Sequence, residues 1–161
     1  MIFGSREDGV RAFSETGRIC ENIVVSVSGL EAASRLQKRH GIPYTCLNPI
    51  ALRQVLQNLA DVNVEGSRIL VIHEQITANT CRSRLTELGA AKVDVASWFM
   101  MKEALMKEGD RRLREEDDLA ALLQECSYDM IIADPVMESL VRRCFEGVFV
   151  SYPHFAVSGK A

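Results

Sequence analysis

Most of this sequence's capacity for chemistry lies in two of its three histidines and the polar residues around them. His73 opens the run His73-Glu74-Gln75, with Thr77 and Asn79 close behind, and His154 follows Tyr152-Pro153 near the end of the chain. A neutral imidazole is a good ligand for iron or zinc and titrates near neutrality, so both are candidates for metal binding or proton transfer. His40, beside Gly41, sits at a helix end where the dipole favours it, and reads as structural. Asp134 precedes Pro135, the pattern of a helix N-cap. For Glu74 or Asp134 to act as a hydrolytic base, its carboxylate would have to lie within about 3 Å of a histidine or of a substrate proton.

The elements that must position these residues alternate between two periods. Ile69 to Ile72 is a short, wholly apolar run, as a strand covered on both faces requires, so Arg68–His73 is a predicted strand. Ala78, Cys81, Leu85 and Leu88 then recur at helical spacing over Thr77–Leu88, with Thr77 as N-cap and Gly89 as stop. The same reading predicts strands at Asn22–Val27, Ile42–Leu47, Lys92–Ala96, Tyr128–Ala133 and Gly147–Ser151, and an edge strand at Met1–Phe3. Helices are predicted at Arg6–Thr16, Leu30–Arg39, Ile50–Leu59, Asp118–Cys126 (capped by Asp117) and from Pro135 to Cys144. Strands alternating with helices of about ten residues mean βαβ units: an α/β protein with parallel sheets, right-handed crossovers and helices on both faces. Ser26-Val27-Ser28-Gly29, Cys46-Leu47-Asn48, His73-Glu74-Gln75, Asp134-Pro135 and Tyr152-Pro153-His154 all follow predicted strands. In a parallel sheet those ends share the edge where ligands bind.

With 161 residues, a hydrophobic share of 47% and a charged share of 25%, the chain is long and apolar enough for a sizeable core. A net charge of −3 gives no general attraction to nucleic acid. No apolar run approaches the roughly 20 residues that span a bilayer, and the first residues lack a signal-peptide layout, so the expected location is cytoplasmic. Five cysteines without a Cys-x-x-Cys pair fit neither a disulfide framework nor a self-contained cluster site, and most are expected to be buried thiols. No Gly-x-Gly-x-x-Gly follows a strand and no P-loop is present, which argues against nicotinamide dehydrogenases and P-loop ATPases. The polar link 61–67, with Gly66-Ser67 as its hinge, divides the chain into expected halves of 1–62 and 63–161. Between Ser97 and Asp118 lies an excursion with the only tryptophan, Trp98, and a charge run, 110–118, expected to be a solvated loop and helix start.

Several stretches, in order, resemble the nitrogenase component 1 family of oxidoreductases: Asn22-Ile-Val-Val-Ser26, the helix ending Gln37-Lys-Arg-His-Gly-Ile-Pro-Tyr44, Gly66-Ser-Arg-Ile-Leu-Val-Ile72, Tyr128-Asp-Met-Ile-Ile-Ala-Asp134, and Pro153-His154 with Ser158-Gly159. The resemblance covers nearly the whole chain. It implies Rossmann-like domains, here the end of the family's middle domain (1–62) and its last domain (63–161). It also implies reductive electron transfer with a homologous partner subunit in a homo- or hetero-oligomer and an iron-protein-like, ATP-hydrolysing electron donor. Cofactor-carrying members place a cysteine ligand at the end of the strand that here ends in Val25-Ser26, and serine is a far poorer iron ligand than a thiolate. They place a histidine ligand after the last strand, close to His154, the expected metal ligand. An iron-sulfur or molybdenum-iron type cluster is thus implied but not expected to be held by this chain alone. The expected pocket residues are His154, His73, Ser26, Gln75 and Asn79. The rival reading is a cofactor-free α/β interaction or small-ligand-binding module.

Overall fold

The computed structural model describes residues 20–59 and 61–154. The expected strand at Met1–Phe3, the helix at Arg6–Thr16 and the Ser158-Gly159 pair lie outside them. Two parallel sheets are formed. In the first, β1 (Asn22–Val24) pairs with β2 (Tyr44–Cys46). A 3-10 turn, Val27–Gly29, and helix α1 (Leu30–His40) join them. Gly41, at φ 68°, ends α1 in the left-handed conformation that glycine adopts without strain. Helix α2 (Pro49–Asn58) then leads to the second sheet.

That sheet has the order β5-β4-β3-β6-β7, with every neighbouring pair parallel. Its strands are β3 (Arg68–Ile72), β4 (Lys92–Ser97), β5 (Arg111–Arg112), β6 (Met130–Ala133) and β7 (Val148–Ser151). The apolar run of β3 fills both faces, as its composition requires. Ile69 and Val71 pack with Ala78, Cys81 and Leu85 of α3 (Gln75–Glu87). Leu70 and Ile72 pack with Leu119 and Leu122 of α4 (Glu116–Glu125) and Val141 of α5 (Glu138–Val141). Helix, sheet and helix form the three layers of a Rossmann-like α/β fold. Since α3 follows β3 on one face and α5 follows β6 on the other, the adjacent ends of β3 and β6 form a topological switch point, where such sheets open a crevice.

Several local expectations are corrected. Helix α3 starts at Gln75, not Thr77: Glu74 is the N-cap, its Oε2 accepting the Thr77 amide at 3.0 Å. Helix α4 starts at Glu116; Asp118 reaches back to accept the amides of Arg114 and Glu115, so Asp117 is not the cap. The helix from Pro135 is a 3-10 turn plus the four residues of α5, ending before Cys144. The 97–118 excursion is not simply solvated. Asp110 is 4% exposed, and both its oxygens lie 2.8 Å from an Arg82 guanidinium nitrogen of α3 while also accepting the amides of Val95 and Lys107. Four hydrogen bonds to a buried carboxylate offset the cost of removing it from water, which a single contact would not. Nor are most of the cysteines buried as expected: Cys81 is buried, Cys46 and Cys126 are half-buried, and Cys20 and Cys144 are exposed.

The excursion closes against β4 at Gly109. This residue sits at φ 93°, and a Cβ there would stand 2.2 Å from Oδ1 of the buried Asp94. Gly109→Ala combines backbone strain with a clash against a carboxylate already held by Tyr128 and Lys92. We expect it to lower the unfolding free energy by about 1–3 kcal/mol in urea titrations.

Candidate functional site

Four strand ends meet at the switch point. His73 is the residue after β3, and its amide still donates to the Ala96 carbonyl at 3.2 Å, so the ladder holds its backbone between neighbouring strands. Tyr152, just past β7, is held in the same way by the Ala133 carbonyl at 2.6 Å. Phe99 follows β4, its amide held by the Ser97 hydroxyl at 3.1 Å. Asp134 follows β6 and caps the 3-10 turn: Oδ1 accepts the Val136 amide at 2.9 Å, and Oδ2 accepts the His154 amide at 2.6 Å. That last bond brings His154 from the end of the sheet onto the crevice.

The rings form a contiguous cluster. The His73 and His154 centroids are 4.5 Å apart, Tyr152 lies 4.6 Å from His73 on its other contact, and Phe99 stacks on His154 at 4.3 Å with planes 8° apart. Ile72, Trp98 and Met137 complete the walls of a small cleft. The space open to the centre of a water-sized sphere is about 10 Å³, room for about one water molecule.

Both imidazoles are neutral at physiological pH. Burial lowers the pKa of His73 from 6.5 to about 4; the nearby His154 lowers it further, against small opposing effects of the Pro153 carbonyl and Asp134. His154 is also lowered by burial, against the attraction of Glu74 and Asp134. Neither ring nitrogen of His73, a residue only 7% exposed, makes a hydrogen bond of regular geometry; the Pro153 carbonyl approaches the ring without completing one. Burial, then Cys81, raises the Tyr152 hydroxyl above its usual range, so it stays protonated.

The other expected pocket residues are committed to the scaffold. Gln75 is fully buried and pairs in both directions with the Lys102 backbone, at 3.0 and 2.7 Å. The Asn79 amide donates to the Leu105 carbonyl at 3.0 Å. Ser26 caps the Val27–Gly29 turn, accepting the Ser28 amide at 3.4 Å and sharing a 3.0 Å hydrogen bond with the Ser28 hydroxyl. Glu74 accepts the Val27 amide at 2.8 Å as well as that of Thr77, joining the first sheet's loop to α3. The carboxylates a hydrolytic mechanism would use therefore face backbone amides. Phe99, Trp98 and Tyr152 were not among the site residues expected from sequence. Their only signal was position after a predicted strand, which apolar side chains share with ordinary core.

No family model matches this chain, and no curated protein matches it. Among solved structures, nitrogenase Cp1 at pH 6.5 superposes over 82% of this chain and 38% of its own, with a TM-score of 0.51 and 13% identity. The fold is nitrogenase-like. The chain spans well under half the length of that neighbour, and at this identity the likeness concerns the path of the backbone, not the chemistry.

The side chains do not fit a metal cluster. The Ser26 hydroxyl is engaged as a cap, burial pushes the Cys81 thiol up to about 12, and Cys46 is raised by burial and then by Glu74, so none offers a ready thiolate. Among the described residues, no three His, Cys, Asp or Glu side chains are grouped to hold a metal ion, and the cleft admits about one water.

The depressed His73 pKa makes stability depend on pH. The folded value lies below the unfolded one, so the native state resists protonation. Its contribution is complete above about pH 6.5 and is lost as the pH falls toward 4, by about 3 kcal/mol in all. Urea unfolding at pH 8 and pH 4 should show that loss in the parent and a correspondingly smaller one in His73→Phe. Equal losses would mean that His73 titrates normally in the folded protein.

Proposed function

We propose that this chain is a fragment or truncated member of the nitrogenase component 1-type oxidoreductases, working with partner subunits in reductive electron-transfer chemistry on a bound substrate or cofactor. Its own contribution is the cofactor-free wall of a pocket, the His73–His154 cleft. The observation that carries this reading is the meeting of two buried, neutral imidazoles at the switch point of a nitrogenase-like fold. A neutral imidazole has one donor and one acceptor, so it can orient a ligand or pass it a proton without bringing a charge. Any iron-sulfur or molybdenum-iron type cluster would draw its donors from partner subunits, with His154 the nearest candidate from this chain. An iron-protein-like partner would supply electrons.

A second reading, a self-contained small-ligand or interaction module, is favoured by one observation: the Ser26 hydroxyl, at the position the family gives to a thiolate ligand, is spent on a turn. Anaerobic purification after co-expression with the genomic neighbours separates the two. The first predicts a complex containing this chain and iron, with a visible absorption band, and His154→Ala should alter that band while leaving the complex assembled. A colourless, iron-free monomer under the same conditions would overturn it.

A further inference from the structure

Burying a hydrogen-bonding group without a partner costs about 1–3 kcal/mol, and folded proteins leave few such groups. Neither ring nitrogen of His73, at the edge where α/β sheets bind ligands, completes a hydrogen bond of regular geometry, and the Pro153 carbonyl is the one backbone group that approaches the ring. His73 borders a cleft whose free space is about that of one water molecule. Ile72, Trp98, Phe99 and Met137 supply apolar walls beside the polar Ser97, Asp134 and His154, and Met100 and Val136, next in sequence to Phe99 and Met137, are exposed at 63% and 62%. The cleft therefore suits one small polar group at its floor and an apolar body outside.

Charge narrows the choice. Asp134 lines the cleft, and it and Glu74 both act electrostatically on His154. Their field repels an anion, while a neutral His73 offers it no counter-charge. A cation would be attracted by the field but can only donate, so it could never meet the imidazole N–H. A hydroxyl or primary amide both donates and accepts, so it can pair with whichever nitrogen of the neutral imidazole it meets, the donor or the acceptor.

We infer that the His73 cleft binds a neutral, apolar-bodied molecule through a single hydroxyl or amide head, with His73 as the residue that recognises the head. This rests on the reading of the cleft as a ligand site and adds its ligand class. Three probes of similar body test it on the full chain: benzyl alcohol, toluene and benzoate, followed by the ring-carbon NMR signals of 13C-labelled histidine. Benzyl alcohol should saturate and shift the His73 signal, binding at least about tenfold more tightly than toluene or benzoate, the equivalent of one good hydrogen bond. In His73→Phe, tryptophan fluorescence of Trp98 should report benzyl alcohol and toluene binding equally, while unfolding confirms that the variant is folded. His73→Gln, which keeps a donor and an acceptor, should restore part of the preference.

Equal binding of benzyl alcohol and toluene to the parent, tighter binding of benzoate, or no saturable shift with any probe would overturn the inference. Its failure is distinct from failure of the assembly reading. A chain that forms an iron-containing complex but ignores the probes defeats only the ligand class, whereas an iron-free monomer that prefers benzyl alcohol defeats only the assembly.

Discussion

The structure depends on burying the first half of a polar helix. Helix α3 carries Gln75, Thr77, Asn79, Thr80 and Arg82 among only a few apolar side chains, yet it lies between the large sheet, α2, the first sheet's loop and the 97–118 excursion. An isolated helix of this composition would have no reason to enter a core. It does so because each of these residues has a fixed partner: Asn48 on Thr77 and Thr80, Lys102 on Gln75, Leu105 on Asn79, Asp110 on Arg82. Buried hydrogen bonds are costly when broken, so this set specifies one arrangement of the surrounding segments.

That constraint also shapes the cleft. The Glu74 carboxylate anchors both the start of α3 and the Val27 amide, while Asp134 anchors the turn after β6 and the His154 amide. Two acidic residues that could have been catalytic in sequence are engaged as backbone clamps. The histidines they flank are packed among aromatic rings, and burial outweighs the attraction of these carboxylates, so both remain neutral. The result is a small cleft lined by a few polar groups among apolar side chains, a recurrent form of small-molecule site.

The backbone likeness to nitrogenase and the donor set of the cleft point in different directions, as a fold shared by many chemistries allows. The sheet order and switch point belong to the scaffold. Ligation depends on single side chains, and at the end of β1 the scaffold carries a serine that stabilises a turn. In this chain the switch point holds imidazole rings and aromatic faces.

The sequence by itself determined the fold class and most of the elements, though not the edge strand β5. The apolar run of β3, the helical spacing of Ala78, Cys81 and Leu85, and the stop at Gly41 are local signals, and burial and backbone geometry follow them closely. It also placed His73, Asp134 and His154 at strand ends, which in a parallel sheet share one edge. Tertiary structure decided which polar residues face that edge. Gln75 and Asn79 turn instead toward the backbone of residues 102–105, far along the chain, and Asp110 leaves a charged run to meet Arg82. Phe99 joins the cleft only because β4 lies beside β3. These are pairings between distant segments, set by packing and by the need to satisfy buried polar groups. Neither periodicity nor spacing along the chain carries that information.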